Sequence, residues 1–240
     1  MKLRPEIKAQ AKAGFMAQYG VSIGALVLVM LITSTLSVIY SIINFQTFLW
    51  HGLSYSRYVA VGGAAVTLGQ LSSLMAVFLY PPVIVGYNSF ALRVYRGQQG
   101  DIGDMFRTGF FNYWRKVGGM LWMYLFTFLW SLLFIIPGIV KALAYFMTPY
   151  ILADCPNVTA TDALKLSMRM TNGYKGEIFV MGLSFIGWAI LSGLTFGILG
   201  ILYTGPYMGT SFAGLYDELK RNALERGVVH PEELGMPANI

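Results

Sequence analysis

The chain has 240 residues, of which 56% are hydrophobic and only 12% charged, with 17 Lys and Arg against 11 Asp and Glu for a net charge of +6. Soluble domains carry roughly 25% charged residues, so this composition excludes an ordinary soluble globule and marks an integral membrane protein. The positive charges flank apolar runs, a pattern that fits topogenic signal and contact with anionic headgroups and speaks against nucleic acid.

The chain opens on a polar lead, KAQAKAGF, followed by a first apolar run over residues 19–43. A bilayer takes about 20 apolar residues, and the run lacks a small-x-small cleavage site, so it is expected to stay as a signal anchor. The connection NFQTFLWHGLSYSR is too apolar for a free loop and is expected at the outer interface. A second run, 59–80, carries on past Pro81 and Pro82.

Between this run and the next lies a segment with helical spacing. Asp101 can cap it, and Ile102, Phe106, Phe110, Tyr113 and Trp114 recur at three and four residue steps. An aromatic stripe of this kind, with Phe106, Phe110 and Trp114 at its centre, belongs at a headgroup boundary. The third run spans 117–136, and the fourth, 138–153, starts directly after Pro137.

A second amphipathic segment follows, in which Thr159 and Asp162 form a capping-box start. Asp162, Lys165 and Arg169 share one face, Ala163, Leu166 and Met170 another, and Gly173 suits the end. A gate or docking surface and a plain interfacial anchor both fit such segments, and the anchor is preferred. The fifth and sixth runs, 178–196 and 198–216, are split by Gly193, Gly197 and Gly200. The last helix is expected to run on through Asp217, Glu218, Lys220 and Arg221 to Gly227, with a short second start at His230–Pro231.

Lys and Arg cluster at Lys2 to Lys12, Arg93 to Lys116, Lys165 to Lys175 and Lys220 to Arg226, with only Arg57 and Lys141 elsewhere. The positive-inside rule then places both termini and both major internal loops on the cytoplasmic face. The expected fold is an all-α polytopic membrane bundle over residues 1–240, with six transmembrane helices in three hairpins and cytoplasmic interfacial amphipathic helices. Polar leads before the first, third and fifth runs suggest a threefold repeat. Pro82, Pro137, Pro149 and Pro206 are the expected kink positions, because a proline in a helix frees a carbonyl that lipid cannot satisfy. The pairs Gly20 with Gly24, Gly193 with Gly197 and Gly205 with Gly209 have the spacing of close helix contacts.

Ionisable groups inside spans are the usual functional markers in a bilayer. Lys141 is the candidate within a run; both snorkelling outward and a buried ligand contact fit it. Asp154 ends the fourth run, where a carboxylate opposes the helix dipole, and Arg93, Arg115 or Lys175 could partner it. Gln70 and Asn88 are the polar side chains best suited to line a hydrated path. His51 and His230 are too few and too separated for a metal site, and Cys155 is the lone cysteine. Phosphate loops, dinucleotide motifs and nucleophile elbows are absent from the sequence, so neither catalysis nor a cofactor is expected.

The stretch IIPGIVKALAYFMTPYILADCP, then DALKLSMRMTNGYKGEIF, LSFIGWAILSGLTFGI and GPYMGTSFAGLYDEL, resembles the bacterial integral-membrane family catalogued as domain of unknown function nine-seven-five. Pro137, Gly138, Ile139, Tyr150, Leu152, Ala153, Asp154, Ser167, Gly173, Lys175, Phe179, Trp188, Pro206, Tyr207 and Tyr216 carry the likeness, which extends over most of residues 80 to 220. The resemblance implies a six-span bundle of the bacterial plasma membrane, distantly similar to the membrane portion of some glycerophosphodiester phosphodiesterases, and brings no activity with it. The function expected is a non-catalytic membrane module that associates with membrane lipids and with a protein partner or a second copy of itself. The alternative is a transporter of a small solute or lipid-like molecule, suggested by proline-broken, glycine-lined helices.

Overall fold

The computed structural model describes residues 4–34 and 77–236, and every regular element there is helical. Gln70, His51, Arg57, the outer connection and most of the second apolar run lie outside the described residues.

Helix α1 (Arg4–Ala17) is the first polar lead, and it buries Ile7, Ala11 and Phe15, spaced by four so that they share one face. Helix α2 (Tyr19–Ser34) leaves α1 at 93°. Gln18 holds the elbow, since its amide donates to the Gln98 carbonyl at 2.7 Å and accepts from the Gly100 N–H at 2.6 Å. Helix α3 (residues 77–95) carries Pro81 and Pro82 without interruption.

The first amphipathic segment becomes α4 (Ile102–Phe110), capped by Asp101, which accepts from the Asp104 N–H at 2.8 Å. Asn112 then turns the chain at φ 51°, a left-handed conformation asparagine tolerates, into α5 (Tyr113–Leu133). Phe134 is extended and reverses the chain into α6 (Ile135–Tyr145) and α7 (Thr148–Asp154). Pro137 lies in the first turn of α6, where its missing N–H would have had no helical partner. The pair α5 and α6–α7 runs antiparallel: Gly138 sits against Ser131 at one end and Gly119 against Leu152 at the other.

Helix α8 (Ala160–Met170) begins at Thr159, whose hydroxyl accepts from the Asp162 N–H, and is followed by Gly173 at φ 84°. Then come α9 (Lys175–Leu183), α10 (Ile186–Leu194), a π-helical turn at Gly200–Thr204 and α11 (Gly205–Glu225). The chain leaves α11 through Gly227 at φ 64° and makes a short turn at Pro231–Leu234.

Three helical stretches are long and apolar enough to cross a membrane: Tyr113–Leu133, Ile135–Asp154 and Lys175–Leu194; the bent pair α1 and α2 would be a fourth. They coincide with the third, fourth and fifth apolar runs and the start of the first. The sixth run is different. Its residues fall in the π turn and the first half of α11, and α11 continues as one helix through Asp217, Glu218, Lys220 and Arg221. Helix α11 is not among the stretches long and apolar enough to cross by themselves, and Tyr207, Phe212, Leu215, Tyr216 and Leu219 of this helix lie in the core.

Packing is uneven along the helices. The main core gathers α1, α7, α8 and α11 around Phe15, Tyr150, Ile151, Leu166 and Tyr216 at the charged end. At the opposite end the tips of α5, α6 and α10 present Leu132, Ile135, Ile136 and Phe196 at 74%, 77%, 75% and 97% exposure. An exposed apolar surface of this kind is the mark of a membrane or protein contact.

Close helix contacts occur at glycines, at one of the three expected pairs and at positions outside them. Gly86 of α3 meets Gly109 of α4, where an added Cβ would lie 2.4 Å from the Met105 carbonyl oxygen. Gly14 of α1 lies equally close to the Val94 carbonyl. Of the anticipated pairs, Gly205 packs on Leu26 and Gly209 on Tyr87, while Gly20 and Gly193 face open space. Helix contacts are set by which faces meet across the fold, and a spacing of four within one helix does not specify that.

Candidate functional site

The described polar groups with the densest mutual contacts surround Asp154, the last residue of α7. Pro149 lies in the first turn of that helix, just past the break at Phe146–Met147, and the buried run from Thr148 to Leu152 fixes its axis. A carboxylate at a helix C-terminus faces like partial charge from the last carbonyls, so it requires cations. Lys220 Nζ donates to Asp154 Oδ2 at 2.6 Å, and Arg96 donates through Nη1 to Oδ1 at 2.7 Å and through Nη2 to Oδ2 at 3.2 Å. The Tyr216 hydroxyl adds a bond of 3.2 Å, and its ring stacks on Tyr150 with centroids 5.5 Å apart. Arg96 reaches on to Asp217 at 2.6 Å, so two cations meet two carboxylates and the cluster closes neutral.

Burial opposes the charge on Arg96, but its hydrogen bonds and charge contacts with Asp154 and Asp217 outweigh that and hold its pKa above the ordinary guanidinium value. Burial pushes the neighbouring Cys155 thiol up, and its side chain packs in the core.

Arg93, Arg115 and Lys175, the partners considered for Asp154, stand elsewhere. Arg93 pairs with Asp104 at 2.5 Å. Arg115 caps the end of α7 by donating to the carbonyls of Leu152 at 2.7 Å, Cys155 at 3.1 Å and Val158 at 2.5 Å. The next residue does the same for α4: buried Lys116 donates to the carbonyls of Thr108 and of Phe111. Two consecutive cations at the start of α5 thus close the C-termini of two neighbouring helices, the polarity that the helix dipole favours. Arg93, Arg107, Arg115 and Lys116 with Asp104 line a cleft of about 350 Å³.

The aromatic stripe is continuous across the break between α4 and α5. Phe106 stacks on Phe110 at 6.5 Å, Phe110 on Tyr113 at 6.3 Å, and Trp114, mostly exposed, meets Tyr113 edge-on at 5.2 Å. Lys141, on α6, places its ammonium 4.9 Å from the centroid of Trp130 and 5.9 Å from that of Tyr145. Asn88 is buried within α3, and Pro82 lies in the same helix with its carbonyl against Gly109. Pro206 begins α11 just after the π turn. Arg96, Tyr216, Asp217 and Lys220 are the residues the sequence reasoning missed. The available signal was the charged segment of the sixth run's continuation, where Asp217 and Lys220 follow Tyr216 within one helix.

A second cavity, apolar and about 570 Å³, lies between α2, α9–α10, the π turn and α11, with Ser192 and Thr204 as its hydroxyls. They bond to each other at 3.2 Å. Among the described residues no group of three His, Cys, Asp or Glu side chains could hold a metal ion.

A family model described as "Protein of unknown function (DUF975)" matches residues 135–223. The matched stretch runs from α6 nearly to the end of α11, so it includes Asp154, Tyr216, Asp217 and Lys220 and stops short of Arg96 and the basic cleft on the N-terminal side. It is narrower than the 80 to 220 over which the likeness was read. Searches of curated proteins and of solved structures find no match.

Proposed function

We propose that this chain is a non-catalytic module of the bacterial plasma membrane, crossing it six times as three hairpins with both termini in the cytoplasm, and that it works by associating with a lipid or protein partner at its charged layer. The observation that carries this reading is the sorting of polar chemistry along the helices. The ion pairs of Arg4, Arg93, Arg96, Lys165, Arg169, Lys220 and Arg221 all fall at one end, beside the stacked aromatics of α4 and α5. The opposite end is apolar and exposed. Interfaces gather aromatic and arginine side chains in this manner, whereas catalysis would call for a nucleophile or an acid–base pair facing a pocket.

Mass spectrometry of the gently solubilised full chain tests it: a protein or lipid retained at fixed stoichiometry is the expected result. Solute flux across liposomes that is lost on changing Lys141, Gln70 or Asn88 would replace the module with a transporter. That second reading draws on the apolar cavity beside the π turn, whose walls suit an acyl chain better than a hydrated solute.

A further inference from the structure

The basic cleft between α3, α4, α5 and α7 has a composition that its structural duties do not use up. Four cations face it against a single carboxylate, Asp104. Arg93 commits only Nη1 to Asp104, at 2.5 Å. Arg107 has no ion-pair partner among the described residues, and the α4 helix presents it to the cleft on the same side as Asp104. Arg115 spends its two terminal nitrogens on the carbonyls that close α7, and its Nε is buried with no hydrogen-bond partner among the described residues. Arg107, exposed on the cleft wall, is the guanidinium placed to take an acceptor bearing negative charge there.

Position narrows the ligand further. The cleft is floored by Leu152 and rimmed by Phe111, which is exposed, as is the neighbouring Trp114. Exposed aromatic rings beside cations at a span terminus mark headgroup depth. At about 350 Å³ the space is within the range of small-ligand sites, roughly 300–1,000 Å³. Basic pockets between membrane helices take the phosphates of anionic lipids, and guanidinium groups match phosphate oxygens in a bidentate manner.

We infer that this cleft is a binding site for the phosphate of an anionic phospholipid, with Arg107 and Arg93 as donors to the phosphate oxygens and Phe111 and Leu152 against the glycerol end. The inference rests on the module reading and names its lipid partner. Because Arg115 and Lys116 also close helix ends, substituting them would confuse binding with folding. Arg107 carries no such duty.

The test is native mass spectrometry of the full chain in detergent, titrated with phosphatidylglycerol or phosphatidylcholine, for the wild type, Arg107→Gln and the remote control Lys165→Gln. Phosphatidylglycerol is expected to bind at one copy per chain at least tenfold tighter than phosphatidylcholine, and Arg107→Gln to lose about tenfold without lowering the lipid-free melting temperature. Lys165→Gln is expected to bind as the wild type does. Equal retention of the two lipids, an unchanged Arg107→Gln, or an equal loss in Lys165→Gln would overturn the inference, the last by showing that general surface charge is responsible. Displacement of the lipid by millimolar inorganic phosphate would assign the site to free phosphate and overturn the lipid assignment. Solute flux in liposomes alongside intact lipid selectivity would defeat the module reading and leave this site standing.

Discussion

Lys220 Nζ lies 2.6 Å from Asp154 Oδ2, with both side chains about nine-tenths buried at 8% and 12% exposure. The pair joins the end of α7 to the second half of α11 across 66 residues of sequence. Surface ion pairs contribute about 0–1 kcal/mol, but a buried one leaves an uncompensated charge when a partner is removed.

Asp154→Asn is therefore expected to destabilise the protein by about 3 kcal/mol, because Lys220 and Arg96 would both lose their carboxylate. Lys220→Met should cost less, since Arg96 and Tyr216 still serve Asp154. A double-mutant cycle on thermal unfolding in detergent checks both. Additive effects would show that the two residues do not communicate.

The contact between α3 and α4 is tight enough to exclude a single methyl group. In Gly86→Ala the new Cβ would stand 2.4 Å from the Met105 carbonyl oxygen, a backbone atom that cannot rotate away. Overpacking of this kind costs about 1–3 kcal/mol. Gly118→Ala, which meets nothing within 4 Å, is the matched control and should leave the melting temperature unchanged or raised.

The tail is fastened by a pH-dependent clasp. Arg169 donates to Glu233 at 2.6 Å and 3.0 Å, and also to the Val228 carbonyl. The hydrogen bonds from Arg169, with that from the His230 N–H, hold the Glu233 carboxyl below its ordinary value of 4.5. A depressed carboxylate contributes stability that is fully present above the unfolded pKa and disappears as pH falls through the folded one. The protection of residues 228–236 against hydrogen exchange, corrected for the intrinsic pH dependence of amide exchange, should thus be constant from pH 7 to the ordinary value of 4.5 and fall only below it. Glu233→Gln should remove that acid-side loosening. Both groups are about two-fifths exposed, so the whole effect is expected to stay under about 1 kcal/mol.

Lys141 is held by rings rather than by a carboxylate. Replacing it with Met should cost no more than about 1–2 kcal/mol, the worth of a cation over aromatic faces in a dry setting. Tryptophan fluorescence should change with the substitution, because Trp130 loses its charged neighbour. An unaltered spectrum would place the ammonium away from that ring.

What could be read from the sequence was local. Caps at Asp101 and Thr159, the stops at Gly173 and Gly227 and the short turn at Pro231 follow from neighbours within a few residues, and each stands where the pattern predicted. The amphipathic lead and the span after it were also separable, because their burial patterns differ; the 93° elbow at Gln18 was not. Asp154 stood out for its unfavourable place at a helix end, yet its partners lie 58, 62 and 66 residues away, and no local pattern separates Arg96 from its neighbour Arg93. Arg115 was absorbed by main-chain carbonyls, a demand that no side-chain pattern advertises.

The neutral cluster around Asp154 also orders the assembly of the chain in time. Tyr216, Asp217 and Lys220 all belong to α11, which the ribosome makes after every other long helix described, whereas Arg96 and Asp154 are made early. Until α11 docks, the newly made protein holds a half-satisfied ionic contact at the foot of α7. A chain cut before residue 205 is expected to leave Arg96 without Asp217, and Asp154 without Lys220 and the Tyr216 hydroxyl.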